Sequence, residues 1–302
     1  MSTRLVSHRA SALRAAAVAL LALAIAGCGA KARIMAPNVT VPASDSAPSW
    51  SPDGTKIAYA HTAGTVESPD RAGIYLADTM GSPPLHILTG SYSYPDWSPG
   101  GRHLVVSGGG IFTITATGDS LTRISSALGY AAKWSPDGST IAYETYDETK
   151  VYRLWLMASD GSGVRCLNAS GGESWFEPDW SPDGAHLAHV RIGAGIPKPE
   201  LFVMDATGRT EQRLTSDGYE ARYPAWSPDG GWIVWGSWRG SSAELWLMWP
   251  DGTWARKIAN GWWPDWSPDS QHIAYTAAEA WNGAYHLFVV DLWTGRVRQL
   301  TH

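Results

Sequence analysis

Charge and cysteine are both scarce in this chain: Asp, Glu, Lys and Arg together make up 17% of 302 residues, and cysteine occurs twice. With 44% hydrophobic residues, so little charge excludes a solvated disordered chain or a heptad coiled coil. No Lys/Arg cluster stands out. Once residues 1–27 are set aside with Arg4, Arg9 and Arg14, 20 basic residues face 28 acidic ones, a net of −8, so no nucleic-acid partner is expected. Chemical signatures are missing too. There is no His-Glu-x-x-His, no paired Cys and no Gly-rich phosphate loop. Gly172-Glu173-Ser174-Trp175-Phe176 fails the Gly-x-Ser-x-Gly elbow at its last position. The longest apolar run, Ala15–Ala26, is too short to span a bilayer. What abounds is tryptophan (18), glycine (32) and proline (19), that is, large flat side chains and turn formers.

The first 27 residues read as a secretory leader, with three Arg, then the apolar run, then Gly27-Cys28. Ile25-Ala26-Gly27-Cys28 resembles the lipobox of bacterial lipoproteins, which implies cleavage before Cys28 and acylation of its thiol and new N-terminus. Residues 28–44, rich in Ala, Pro and Ser, then form a tether on the lipid. Gly29 follows in place of an Asp retention signal, so the expected location is the cell envelope, on the periplasmic side of an outer membrane where one exists. Cys166, left unpaired in an apolar strand, reads as a small core residue.

From residue 45 to 302 the chain repeats itself. Trp-Ser-Pro recurs at Trp50, Trp97, Trp134, Trp180, Trp226 and Trp266, followed by Asp-Gly in four copies, Gly100-Gly101 in the second and Asp269-Ser270 in the sixth. Such periods of roughly 40 residues signal a propeller or solenoid. Ser-Pro-Asp-Gly places Pro second and Gly fourth, type I turn chemistry, so it joins two strands in a hairpin. Its Asp residues read as structural, and their spacing does not fit the sialidase Asp-box. Apolar strands follow, as in Ile57-Ala58-Tyr59 and Leu154-Trp155-Leu156-Met157, and strands apolar on both faces must be covered on both sides. The fold expected is all-β, a six-bladed β-propeller of four-stranded antiparallel blades, with the last blade supplying all its own strands.

The Pro-x-Trp-Ser-Pro-Asp-Gly units with a downstream Leu-Thr resemble the PD40 (WD40-like) repeats of the TolB family over residues 45–302. The resemblance implies the fold. It leaves function open, because such propellers serve as scaffolds, as binding proteins and as parts of enzymes. TolB proteins carry an additional N-terminal α/β domain where this sequence has a leader and a tether, so their partners are not carried over.

Two groups of residues are candidates for a site. The x of Pro-x-Trp is Ser49, Asp96, Lys133, Asp179, Ala225 and Asp265 in blades one to six, with Ala132 replacing Pro in blade three. Asp96, Asp179 and Asp265 should therefore ring one mouth of the channel, either to attract a cation or to bond backbone amides of neighbouring strands. The loops entering the inner strands and joining the second and third strands share one face and are aromatic. Tyr94, Trp175, Phe176, Tyr223, Trp238, Trp262, Trp263 and Trp281, with Glu177 and Arg222, form the expected ligand face. Many of these rings must also be absorbed by packing between blades. His103, His186 and His272 are equivalent but too far from the axis to share a metal.

Two functions follow. The first is a non-catalytic, lipid-anchored, monomeric envelope protein that holds a protein or glycan on the aromatic face, without cofactor or metal. The alternative is a glycan hydrolase or lyase with an acid/base pair among Glu173, Glu177 and Glu220.

Overall fold

A computed structural model describes residues 43–64, 71–146, 148–169, 171–240, 242–278 and 283–302. The leader, Cys28 and Trp281 lie outside these residues. The described chain forms six four-stranded antiparallel sheets, each built from four consecutive strands in sequence order, arranged as the expected six-bladed propeller. The inner strands are Ser44–Trp50, Ser93–Trp97, Gly129–Trp134, Ser174–Trp180, Glu220–Trp226 and Trp262–Trp266.

Each Trp-Ser-Pro turn closes as the sequence predicts. In blade one Gly54 N donates to Ser51 O at 2.9 Å, and Gly54 sits at φ 72°. Ser51 Oγ donates to Asp53 Oδ1 at 2.6 Å and accepts from Lys56 N at 2.9 Å, so the Asp is a turn residue. The same Ser–Asp bond recurs in blades three to six. These hydrogen bonds, led by that from Ser135, hold the Asp137 carboxyl down at about 2.

Two-sided burial comes from alternation along the second strands. In blade one Ala58 and Ala60 join a core with Trp97, Leu104, Val106 and Ile114 of blade two. Ile57 and Tyr59 join Ala274, Leu287 and Val289 of blade six. Each fully buried aliphatic side chain contributes about 1.5–3 kcal/mol, so these interfaces are the principal cohesion of the ring.

Among the described residues ring closure uses no exchanged strand: blade one spans Ser44–Thr89 and blade six Trp262–Gln299. Polar bonds seal the seam. Thr301 Oγ1 accepts from Leu287 N at 2.9 Å and donates to Asp45 of blade one, whose other oxygen lies 2.7 Å from His61 Nδ1. Thr215 in blade four and Asn168 in blade three cap their third strands in the same way, which explains the recurring Leu-Thr and its Leu-Asn variant.

Inner strands run from a loop face, where the chain enters each blade, to a turn face, where the Trp-Ser-Pro turns and the third-to-fourth-strand turns lie.

Candidate functional site

Every inner strand breaks register two to three residues before its Trp. At the break stands a non-glycine residue in the left-handed region: Ala47 (φ 49°), Tyr94 (51°), Ala131 (46°), Glu177 (55°), Tyr223 (53°) and Trp263 (50°). Such a conformation costs an L-residue about 1–2 kcal/mol, and a β-bulge re-aims the side chain that bears it. Here six bulges turn one layer of side chains toward the axis. With Lys133 and the flanking prolines they line a small space of about 60 Å³ on the loop side of the channel.

Two residues further on lies the expected ring. Asp96, Asp179 and Asp265 converge, but on the chain's own cation. Lys133 Nζ is 3.0 Å from Asp96 Oδ1 and 3.9 Å from Oδ1 of both Asp179 and Asp265. The second carboxylate oxygens accept from the next blade's backbone, Trp134 N at 2.9 Å, Trp226 N at 2.7 Å and Trp50 N at 2.7 Å. Burial pushes the Asp179 carboxyl up to about 7 and that of Asp265 up to about 6, Lys133 opposing in each case. Burial also works against the Lys133 charge, and the three carboxylates outweigh it, holding the ammonium above its usual range.

The indoles repeat this alternation. Trp97, Trp180 and Trp266, in the Asp-bearing blades, are buried and donate Nε1 to the carbonyls of Ser49 (3.2 Å), Lys133 (3.3 Å) and Ala225 (3.0 Å) in the preceding blade. Each even blade therefore clasps both neighbours, backward through its Trp and forward through its Asp. The acids floor a chamber of about 350 Å³ that opens between the prolines of the turn face. The channel mouth that the acids ring is therefore not beside the aromatic rim, because the bulge layer of Tyr94, Tyr223 and Trp263 lies between them.

Of the expected ligand face, Phe176 and Glu177 are buried, at 5% and 6% exposure, and are not rim residues. Glu177 takes Arg222 Nε on both oxygens, at 2.9 and 3.0 Å, and accepts Tyr223 N at 2.8 Å. Its own amide donates to Glu144 of blade three. Glu144 was not among the sequence candidates. An acid inside Ile141-Ala142-Tyr143-Glu144 was the available signal, and burial, reinforced by Glu177, pushes its carboxyl up to about 8. Arg222 reaches Glu220 as well, at 3.3 Å, and Arg191 pairs with Glu173. Tyr94 is enclosed within the channel, and burial raises its phenol well above the ordinary value.

The remaining aromatics meet on the loop face. Trp262 lies over Gly236, where a Cβ would come within 2.3 Å of its ring, and stacks on the exposed Trp238 at 6.0 Å with an interplanar angle of 12°. Tyr223 touches both Trp262 and Trp263, and Trp263 meets the partly exposed Tyr285 at 6.4 Å. Trp175 stands apart, half-buried against His189 with Arg191 over its ring. His103 and His186 are exposed at strand starts, and among the described residues no group of His, Cys, Asp and Glu is arranged to hold a metal. Cys166 is half-buried and unpaired.

Fold and site together define a closed six-bladed propeller whose channel is plugged by its own ion cluster and whose loop face carries a contiguous aromatic surface. The family model of the TolB beta propeller domain, PD40, matches residues 38–191 and 131–302, and the chain belongs to that family. It is 31% identical over 165 residues to a protein TolB homolog of Chlorobium luteolum, a match spanning 53% of this chain and 36% of that one. The chain thus corresponds to about a third of that relative's length. The crystal structure of TolB from Acinetobacter baumannii superposes with a TM-score of 0.68 at 17% identity, covering 86% of this chain and 63% of that one. An oligogalacturonate lyase in complex with manganese does so at 0.60 and 13% identity, covering 86% and 78%. At these identities the likeness is one of fold.

Proposed function

We propose that this propeller is a non-catalytic binding module of the bacterial cell envelope, held to a membrane through lipid on Cys28 and engaging a protein partner through its loop face. The observation that carries the reading is the Trp238–Trp262 stack, joined through Tyr223 and Trp263 to Tyr285: rigid flat rings, with Trp238 and Tyr285 exposed at the rim and the other three half-buried behind them over a closed channel. Large aromatic side chains offer contact area at small entropic cost, which suits the centre of an interface. Binding is favoured over bond cleavage by the state of the carboxylates. Glu173, Glu177 and Glu220 are each engaged by an arginine, whereas glycoside cleavage needs an acid and a base facing one substrate.

Cell fractionation tests the anchoring. Cys28→Ser should move the protein from the membrane pellet to the soluble fraction, and retention in the pellet would remove the lipid from the proposal. A photo-crosslinking residue at position 238 should trap one discrete partner in cells, and the same residue at position 293, on the turn face, should not. Equal yields at both positions would contradict a loop-face site.

A further inference from the structure

The propeller's pseudo-symmetry supplies a second, separate reading on the turn face. An open cleft of about 650 Å³ lies there between blades three and four, walled by the Asp137 and Asp183 turns, with Arg165 among its lining residues. Strand register identifies what stands at the same places in blade five. Leu156 pairs with Arg165 as Leu247 pairs with Arg256. Ile141 pairs with Met157 as Ile233 pairs with Met248, so Thr140 and Ala158 correspond to Trp232 and Trp249. Ala158 N bonds Ser162 O as Trp249 N bonds Thr253 O, so Gly163 corresponds to Trp254, and both are left-handed, at φ 63° and 57°.

Blade five thus carries three indoles at the places that Thr140, Ala158 and Gly163 hold in blade three. Trp249 and Trp254 stack at 5.8 Å and 10°, Trp232 lies 5.3 Å from Trp254, and Arg256 sits 5.5 Å over the Trp254 ring. Arg165 is the counterpart of Arg256, and among the described residues no indole is stacked on it as Trp254 is on Arg256. Its guanidinium is fixed by the carbonyls of Ala206 (2.8 Å) and Thr207 (3.5 Å) across the blade junction. Blade five therefore shows which chemical group these walls accommodate.

We infer that the cleft between blades three and four receives a tryptophan side chain of a peptide partner, stacked under Arg165 and flanked by basic residues that face Asp137 and Asp183. The indole occupies the place of Trp249 and Trp254, its face meets the guanidinium, and the two exposed turn carboxylates select lysine or arginine beside it. The surface lies on the opposite face from Trp238 and Trp262, so this inference and the loop-face proposal fail separately.

The probe is an acetylated Lys-Trp-Lys peptide carrying 5-fluorotryptophan, titrated with the full chain and followed by fluorine NMR, which is silent to the protein's own indoles. Saturable broadening is expected. Ala158→Trp places in blade three the residue blade five carries in the same register, and should weaken binding about tenfold or more with the fold kept. Thr140→Trp is a second plug should the first fail to fold. Arg165→Gln should weaken binding about two- to fivefold, and the Glu-Trp-Glu peptide should bind less well than the Lys form. No saturation, equal affinity for the two peptides, or binding unchanged by a folded plug variant would overturn the inference. So would saturable binding of chitotetraose that Ala158→Trp abolishes, which would assign the cleft to a glycan.

Discussion

Lys133 shows how one side chain changes the meaning of its neighbours. Three carboxylates equivalent by repeat suggest a cation site, and a lysine at the equivalent position of blade three makes the cation covalent to the chain. Ring membership was legible from the Pro-x-Trp register, whereas the reach of Lys133 across the axis depends on how six blades converge. Glu144 and Glu177 were hidden for a related reason. The Glu177–Arg222 pair joins residues 45 apart on adjacent blades. Glu144 carries a pH dependence of definite sign. Its carboxyl is raised to about 8 from 4.5, so the folded state holds a proton that the unfolded chain releases, and its contribution to stability falls as pH rises from about 4.5 through 8. Asp179 and Asp265, raised likewise, act in the same direction over the lower part of that window. Glu144→Gln, uncharged at every pH and still able to accept from Glu177 N, should therefore raise the melting temperature at pH 8 and leave it nearly unchanged at pH 5. A variant destabilised equally at both would show that Glu144 is ionised in the fold.

Among the elements, turns and strands were readable because each rests on local chemistry: Ser, Pro, Asp and Gly for the turn, alternating apolar residues for two-sided burial. The bulges were not. Their αL residues are Ala, Tyr, Glu and Trp, none of which announces a positive φ, and a bulge inverts the in-and-out alternation beyond it. This is why Phe176 and Glu177, read as rim residues, are buried, while Asp179 two positions later reaches the channel as expected. Ala47 isolates the conformational cost, because its side chain is small and half-buried. Ala47→Gly should stabilise the propeller by about 0.5–1 kcal/mol, a rise of roughly 2 °C in a thermal melt. A fall would mean that the bulge is not strained.

For the whole molecule, closure is the property that matters. Blades one and six each own four strands, and the seam between them holds through buried apolar contacts, the Asp265–Trp50 bond and the Asp45–Thr301 bond. Among the described residues the four strands of blade one begin at Ser44, so deleting residues 29–42 should leave the melting temperature within about 2 °C of the parent. A loss of many degrees would place part of that segment in the fold.

Capture of the envelope partner by Trp238→Ala/Trp262→Ala, measured beside thermal melts, bears on the binding role most directly. Rings that serve an interface should take capture with them while the melt moves by no more than about 3 °C, since half-exposed residues add little to the core. Undiminished capture by a folded variant would contradict the loop-face site. So would a melting temperature lowered by about 8 °C or more, which would return both tryptophans to the packing of blades five and six.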